Sequence, residues 1–139
     1  MNKFVLVILG LIISGTAVWA DRFVPEFDKM KAVRCDITET IYNSDDSVVT
    51  TNKYFRIFRL DDECNKIYLQ KAPVDKILHY DNNLVHMSLQ TLTDDSIIAE
   101  DIQINRTEWK YTSKAQISYD NPVFGVRYSK SNGVCRVLN

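Results

Sequence analysis

Glycine and histidine are scarce in this chain, which limits the catalytic sites that it can form. Of its 139 residues only 4 are glycine and 2 are histidine. Gly10 and Gly15 fall in an apolar amino-terminal stretch, and Gly125 and Gly133 lie near the carboxyl end. The sequence therefore contains neither a Gly-x-Ser-x-Gly nucleophile turn nor a glycine-rich phosphate loop. We expect no catalytic residue and no cofactor, and a carboxylate pair acting on glycosides is the open enzymatic alternative.

An excess of charge of one sign is also missing. The chain has 17 Lys and Arg residues against 18 Asp and Glu residues, a formal net charge of −1. Proteins that bind nucleic acid or an anionic membrane surface use a clustered basic excess. The composition therefore argues against both of these partners.

Only one long apolar run occurs, and it lies at the amino terminus. Lys3 precedes the run from Phe4 to Ile13, and the small residue Ala20 ends the stretch. This order is typical of a secretory signal peptide. The run is shorter than the roughly 20 apolar residues that span a bilayer. We expect residues 1–20 to be a signal that is removed, which leaves a secreted or periplasmic domain without a stable membrane anchor.

Three cysteines are present, so one lacks an internal partner if a disulfide forms. Cys35 lies in the first predicted strand and Cys135 in the last, and a sheet that closes on itself brings these strands together. We predict a disulfide between them. Cys64 lies in the acidic turn 61–64 and could replace one of them, stay free or link two chains. Its acidic neighbours disfavour a thiolate, so a free Cys64 is expected to be a buried small side chain.

The clearest periodic signal lies in residues 108–119, where aromatic or apolar side chains alternate with polar ones. Ile98, Ile102 and Ile104 alternate in the same way just before it, and residues 105–108 form a turn signal. This pattern predicts a β-hairpin with one buried face.

The rest of residues 32–139 repeats the same strand and turn rhythm. We predict an all-β domain of about eight or nine short strands in an antiparallel meander that forms a small barrel or half barrel, with a two-sheet sandwich as the alternative. Residues 21–31 are expected to form an arm or a short helix. Gly125, within a strand pattern, indicates a bulge or a close approach of another backbone segment, and Asn132-Gly133 is the pair favoured by a tight hairpin turn.

Four residues on the predicted hairpin are candidate ligand-lining residues: Trp109, Tyr111, Ile117 and Tyr119. In a small barrel such a ladder can surround one apolar molecule. The alternative is that it fills the core. The polar tips of Trp and Tyr side chains favour positions near a rim.

The two histidines, His79 and His86, flank a turn that contains Asp81. A metal site of two histidines and a carboxylate needs all three on one face, and the strand pattern does not favour this, so we expect no metal site. The acidic turns at 45–46, 61–63 and 94–95 lack the glycine of a calcium loop. Asn105-Arg106-Thr107 fits the glycosylation acceptor pattern, which applies only in a eukaryotic secretory pathway.

The placement of Cys35 and Cys135 in the first and last strands resembles that of the small periplasmic lysozyme inhibitors of bacteria, which are antiparallel barrels of similar size. This sequence has no equivalent of their Ser-Gly inhibitory loop, so no functional residue is transferred. We expect an exported, non-enzymatic binding module for a protein or a component of the cell envelope. The alternatives are a small secreted hydrolase inhibitor and a carrier of a small apolar ligand.

Overall fold

Alternation of apolar and polar side chains runs through the chain and produces an almost pure β-structure. The computed structural model describes residues 26–139. The strands are β1 (Lys31–Tyr42), β2 (Val48–Asp61), β3 (Lys66–Leu69), β4 (Ala72–Pro73), β5 (Lys76–Tyr80), β6 (Leu84–Leu92), β7 (Ser96–Asn105), β8 (Lys110–Tyr119) and β9 (Val126–Val137). Before β1 there is one 3-10 turn, Phe27–Lys29. No helix in the described part of the chain is long and apolar enough to cross a membrane.

The nine strands form one antiparallel sheet in the order β4-β3-β2-β1-β9-β8-β7-β6-β5. Pairing of β1 with β9 joins strands β1–β4 to strands β5–β9, and the sheet stays open between its two edges, β4 and β5, which are neighbours in sequence. The sheet curls into a half-barrel, which confirms the predicted fold class. The predicted signal peptide, residues 1–20, lies outside the described residues, as do residues 21–25 of the predicted arm.

The predicted disulfide is also confirmed. Cys35 of β1 and Cys135 of β9 lie directly opposite each other, with their Cα atoms 4.0 Å apart. Their separation along the chain is 100 residues. The bond therefore joins the first and last long strands in the middle of the sheet.

Two local predictions near the carboxyl end are wrong. Asn132 and Gly133 do not form a hairpin turn but lie inside the continuous strand β9. Gly133 is needed for close packing, because a Cβ there would overlap the backbone carbonyl oxygen of Asp36 on β1. Gly125 lies in the loop before β9 with φ +59°, rather than in a strand bulge.

The two ends of the half-barrel differ in their connections. At one end, which we call the clamped end, lie the turns 62–65, 81–83 and 106–109. At the other, which we call the loop end, lie the connections 43–47, 93–95 and 120–125. The apolar core fills the half nearer the clamped end and is formed by Val33, Cys35, Ile37, Phe58, Leu60, Ile67, Val74, Val85, Met87, Ile102, Ile104, Tyr111 and Cys135.

Candidate functional site

The four candidate ligand-lining residues are distributed along the whole of β8 rather than around one point. Trp109 lies in the turn at the clamped end, with φ +52°. Tyr111 is fully buried in the core, and its ring centroid is 6.1 Å from that of Phe58. Ile117 is 7% exposed, whereas Tyr119 ends β8 at the loop end. The structure therefore does not bring Trp109 and Tyr119 together, since a ten-residue strand is roughly 30 Å long.

The hydroxyl group of Tyr111 belongs to a polar tie that crosses the interior. Arg56 of β2 donates a hydrogen bond to the Tyr111 hydroxyl oxygen at 2.8 Å and forms an ion pair with Glu100 of β7 at 3.0 Å. Burial raises the pKa of Tyr111, so this phenol stays neutral. Glu100 is only 6% exposed and is neutralised by Arg56. With its carboxylate paired, the cluster offers no free general base and is best described as a structural tie.

Beyond this tie the interior is lined by small polar side chains. Ser113, Ser129 and Ser131 are each at most 5% exposed, and Ser113 lies directly opposite Ser131. Their hydroxyl oxygens have no hydrogen-bond partner among the described residues. A buried hydroxyl group normally binds a polar partner or an ordered water molecule. This part of the interior is therefore better suited to water or a polar group than to an apolar ligand.

The clamped end is held by Arg106, which lies in the turn between β7 and β8. Its guanidinium group donates to both carboxylate oxygens of Asp62, at 2.8 and 3.1 Å, and to the backbone oxygen of Asp81 at 3.1 Å. Tyr80 also donates to Asp62, at 2.7 Å. The hydrogen bond from Arg106 lowers the pKa of Asp62, and burial raises that of Tyr80. These contacts join β2, β5 and β7 across the gap between the sheet edges.

The two histidines are cross-strand neighbours on β5 and β6, but each is paired with its own carboxylate. The Nε2 atom of His79 lies 2.7 Å from the Oδ2 atom of Asp81, and the Nε2 atom of His86 lies 2.8 Å from the Oδ1 atom of Asp101. The hydrogen bond with His79 lowers the pKa of Asp81 to about 2. Within residues 26–139 no group of three or more His, Cys, Asp or Glu side chains is placed to hold a metal ion.

Cys64 and Asn105 both occupy turns. Cys64 is unpaired and exposed, so the expectation of a buried side chain is wrong. The side-chain oxygen of Asn105 accepts hydrogen bonds from the backbone N–H groups of Thr107 and Glu108, at 2.9 and 3.0 Å. Asn105 therefore stabilises the turn between β7 and β8.

The outer face of the sheet has a pair of like charges side by side. Lys114 of β8 and Lys130 of β9 are directly opposite each other, and both are exposed. Neither forms an ion pair in the part of the chain that the structure describes. Like charges directly opposite in a sheet are destabilising. Asp101 of β7 lies directly opposite Lys114 on its other side and offsets part of this repulsion, whereas Lys130 faces the uncharged Thr40 of β1.

Three adjoining depressions of the outer face are all lined by Lys114, with volumes of about 420, 360 and 730 Å³. Tyr128 lines two of them, is 45% exposed and lies opposite Tyr42. We call this surface the lysine groove. It is formed by Tyr42, His86, Asp101, Gln103, Thr112, Lys114, Gln116, Tyr128, Lys130 and Asn132.

The groove combines ammonium groups, phenol rings, and amide and hydroxyl groups with the carboxylates of Asp46 and Asp101 and the imidazole of His86. Lysine binds carboxylate and phosphate as a mobile point charge, and exposed tyrosines combine an apolar ring with a polar tip. The sequence pattern alone does not reveal this site. Lys114 and Lys130 occupy ordinary polar positions, and the wrong hairpin turn at Asn132 hid the register that places them opposite each other.

The chain matches no protein-family model, no curated protein and no solved structure.

Proposed function

We propose that the chain is an exported, non-enzymatic binding module that recognises an acidic, hydroxyl-rich component of the cell envelope through the lysine groove. An anionic polysaccharide has this chemistry. The observation that carries the proposal is the pair of opposed lysines, Lys114 and Lys130, beside the exposed ring of Tyr128. Export is inferred from the predicted signal at residues 1–20.

Electrostatics explains why an anionic group would bind here. A carboxylate or phosphate between the ammonium groups of Lys114 and Lys130 relieves their mutual repulsion and receives charge-assisted hydrogen bonds. Side chains such as Asn132 and Thr112 offer hydrogen bonds to hydroxyl groups of the same ligand. The site lies on paired strands of one sheet, so little ordering of the backbone is needed on binding.

Calorimetric titration of the exported chain with polygalacturonate, a polyuronate, tests this function, with neutral dextran as the comparison polymer. We expect binding to the polyuronate alone, and binding weakened by salt. Replacing either lysine, by Lys114→Gln or Lys130→Gln, should weaken binding about tenfold, because a hydrogen bond to a charged group contributes about 1.5 kcal/mol.

The matched control is Lys66→Gln, which removes the same charge from an exposed position outside the groove. The control should bind polygalacturonate as the unmodified chain does. Equal loss in the control and in the groove variants would show that only net charge matters, and would refute the groove as the site.

A second function, inhibition of an envelope hydrolase, is favoured by the loop 120–125. Val123 and Phe124 of this loop are 85% and 52% exposed, and a protruding apolar loop suits insertion into a partner's cleft. The test is the rate at which an envelope extract degrades its own polysaccharide with the chain added. If the loop inhibits, Val123→Ser with Phe124→Ser should restore the rate and leave polygalacturonate binding unchanged.

A further inference from the structure

Strand β2 has a long unpaired edge. It pairs with β1 from Val48 to Leu60, but it pairs with β3 only over Phe58–Asp61. Among the described residues, those from 48 to 56 therefore have a strand neighbour on one side only. Most of these residues are exposed, and an unpaired strand edge readily pairs with another strand.

The ladder geometry identifies which backbone groups face the free side. Cys35 and Cys135 are a closely opposed pair with Cα atoms 4.0 Å apart, which marks a non-hydrogen-bonded position between β1 and β9. Cys35 therefore directs its N–H and C=O groups toward β2, and so do the residues at every second position. Their partners on β2, such as Asn52 and Tyr54, face β1 in return.

By the same alternation, Thr51, Lys53 and Phe55 direct their N–H and C=O groups away from β1. An observed bond supports this assignment. At the next position of the series, the carbonyl oxygen of Ile57 accepts a hydrogen bond from the N–H of Gln70, at 2.9 Å on the β3 side. The edge from 51 to 55 thus offers regularly spaced donors and acceptors.

We propose that this edge pairs with the same edge of a second copy of the chain, antiparallel, with a two-fold axis at Asn52. In this register Thr51 lies opposite Lys53 of the second copy, and both residues direct their backbone groups toward the free side. The regular alternation does not extend to Val49, because the register between β1 and β2 shifts between Ile41 and Tyr42. A closed two-fold dimer of this kind uses the same surface on both copies.

The positions of the charged side chains favour this register over the two registers in which the axis is shifted by one residue. Centred on Asn52, the pairing joins residues 50–54 of the two copies and places no cation directly opposite another. Shifting the axis to Lys53 would place two lysines directly opposite each other, which is destabilising. Shifting it to Thr51 would shorten the ladder.

The ends of the paired edges are complementary as well. The acidic turn that contains Asp45 and Asp46 precedes β2, and the turn at Gln70 and Lys71 borders the other end of the free edge. In the dimer the acidic turn of each copy approaches the Lys71 turn of the other. Lys71 is exposed and forms no ion pair within residues 26–139.

Disulfide trapping tests the two-fold axis directly. In a Cys64→Ser background, Asn52→Cys places two thiols at a non-hydrogen-bonded position, the same geometry that Cys35 and Cys135 use. We expect rapid formation of a covalent dimer under mild oxidation. The control, Lys53→Cys, faces Thr51 of the second copy and should form the dimer much more slowly.

Sedimentation equilibrium tests the register with a matched pair of variants. Thr51→Glu creates two Glu–Lys pairs per dimer and should tighten association roughly fivefold, whereas Thr51→Lys should weaken it roughly fivefold. Both variants change only an exposed side chain, so the fold is retained.

Three results would overturn the proposal. One is a chain that stays monomeric at all concentrations, and another is Asn52→Cys dimerising no faster than Lys53→Cys. The third is a dimer whose association constant does not change with the charge at position 51. A chain that pairs only with a strand of a foreign protein would give the first two results, and would exclude a second copy as the occupant. None of these results depends on the lysine groove.

Discussion

The clamped end and the loop end of the half-barrel are built from the same strands but are held together differently. At the clamped end, Arg106 bridges three strands and the side chain of Asn139 bonds to the backbone of Met30 and Ala32. At the loop end, connections between neighbouring loops are fewer. One is the hydrogen bond from the backbone N–H of Asp120 to the oxygen of Asp95, at 2.9 Å.

Burial follows the same division. Apolar core residues are concentrated toward the clamped end, whereas the loop end exposes Leu92 by 73% and Val123 by 85%. Exposed apolar groups add nothing to the stability of the isolated chain, because their area is not removed from water. The apolar core therefore stabilises mainly one half of the molecule, whereas exposed apolar side chains such as Leu92 and Val123 lie at the other end.

Loss of the disulfide should lower the free energy of unfolding more than any other change proposed below. Replacing Cys35 and Cys135 by alanine releases a loop of 100 residues, for which we expect a loss of about 4 kcal/mol in the free energy of unfolding. Urea denaturation of the double variant and of the reduced chain measures it. The exposed Cys64→Ser change is the control and should have little effect. A loss below about 1 kcal/mol would show that pairing of β1 with β9 holds without the bond.

Sequence periodicity was sufficient for the fold class and for the disulfide, because both follow from local alternation and from closing a meander. It failed where a tertiary contact overrides local preference. Asn132-Gly133 is a typical turn sequence, yet Gly133 lies within β9, where the absence of a Cβ allows the strand to approach the backbone of Asp36 closely. The lysine groove was missed for a related reason. The juxtaposition of Lys114 and Lys130 depends on the register between two strands, which no single strand specifies.

The two glycines of the described residues allow one substitution to be compared in both halves. Gly133→Ala adds a Cβ that overlaps a backbone oxygen, so β1 and β9 must separate. We expect a loss of about 3 kcal/mol. At the loop end, Gly125 has φ +59° and no neighbouring atom within 4 Å of an added Cβ, so Gly125→Ala should cost only about 1 kcal/mol of backbone strain. Thermal unfolding followed by circular dichroism measures both, and a reversed order would contradict the proposed division of stability.

Acid should weaken the clamped end. The pKa of Asp62 is lowered by its hydrogen bond from Arg106, and that of Asp81 is lowered to about 2 by its bond with His79. A carboxyl group whose pKa is lower in the folded state contributes stability above its unfolded pKa, near 3.8, which disappears as the pH falls through the folded value. The free energy of unfolding should therefore decrease between about pH 4 and pH 2.

Variants at the clamp should remove part of this acid dependence. The amide side chain of the Asp62→Asn variant cannot ionise. The free energy of unfolding of this variant should therefore be lower than that of the unmodified chain at neutral pH, and it should fall less steeply below pH 4. The control, Asp94→Asn, changes an exposed acid at the loop end whose side chain forms no ion pair in the described chain, and should keep the full slope. If the free energy of unfolding fell equally steeply with pH in both variants, the acid sensitivity would arise outside the clamped end. Asp62 is the carboxylate to which Arg106 donates hydrogen bonds, so its replacement should flatten the slope if the clamped end is responsible.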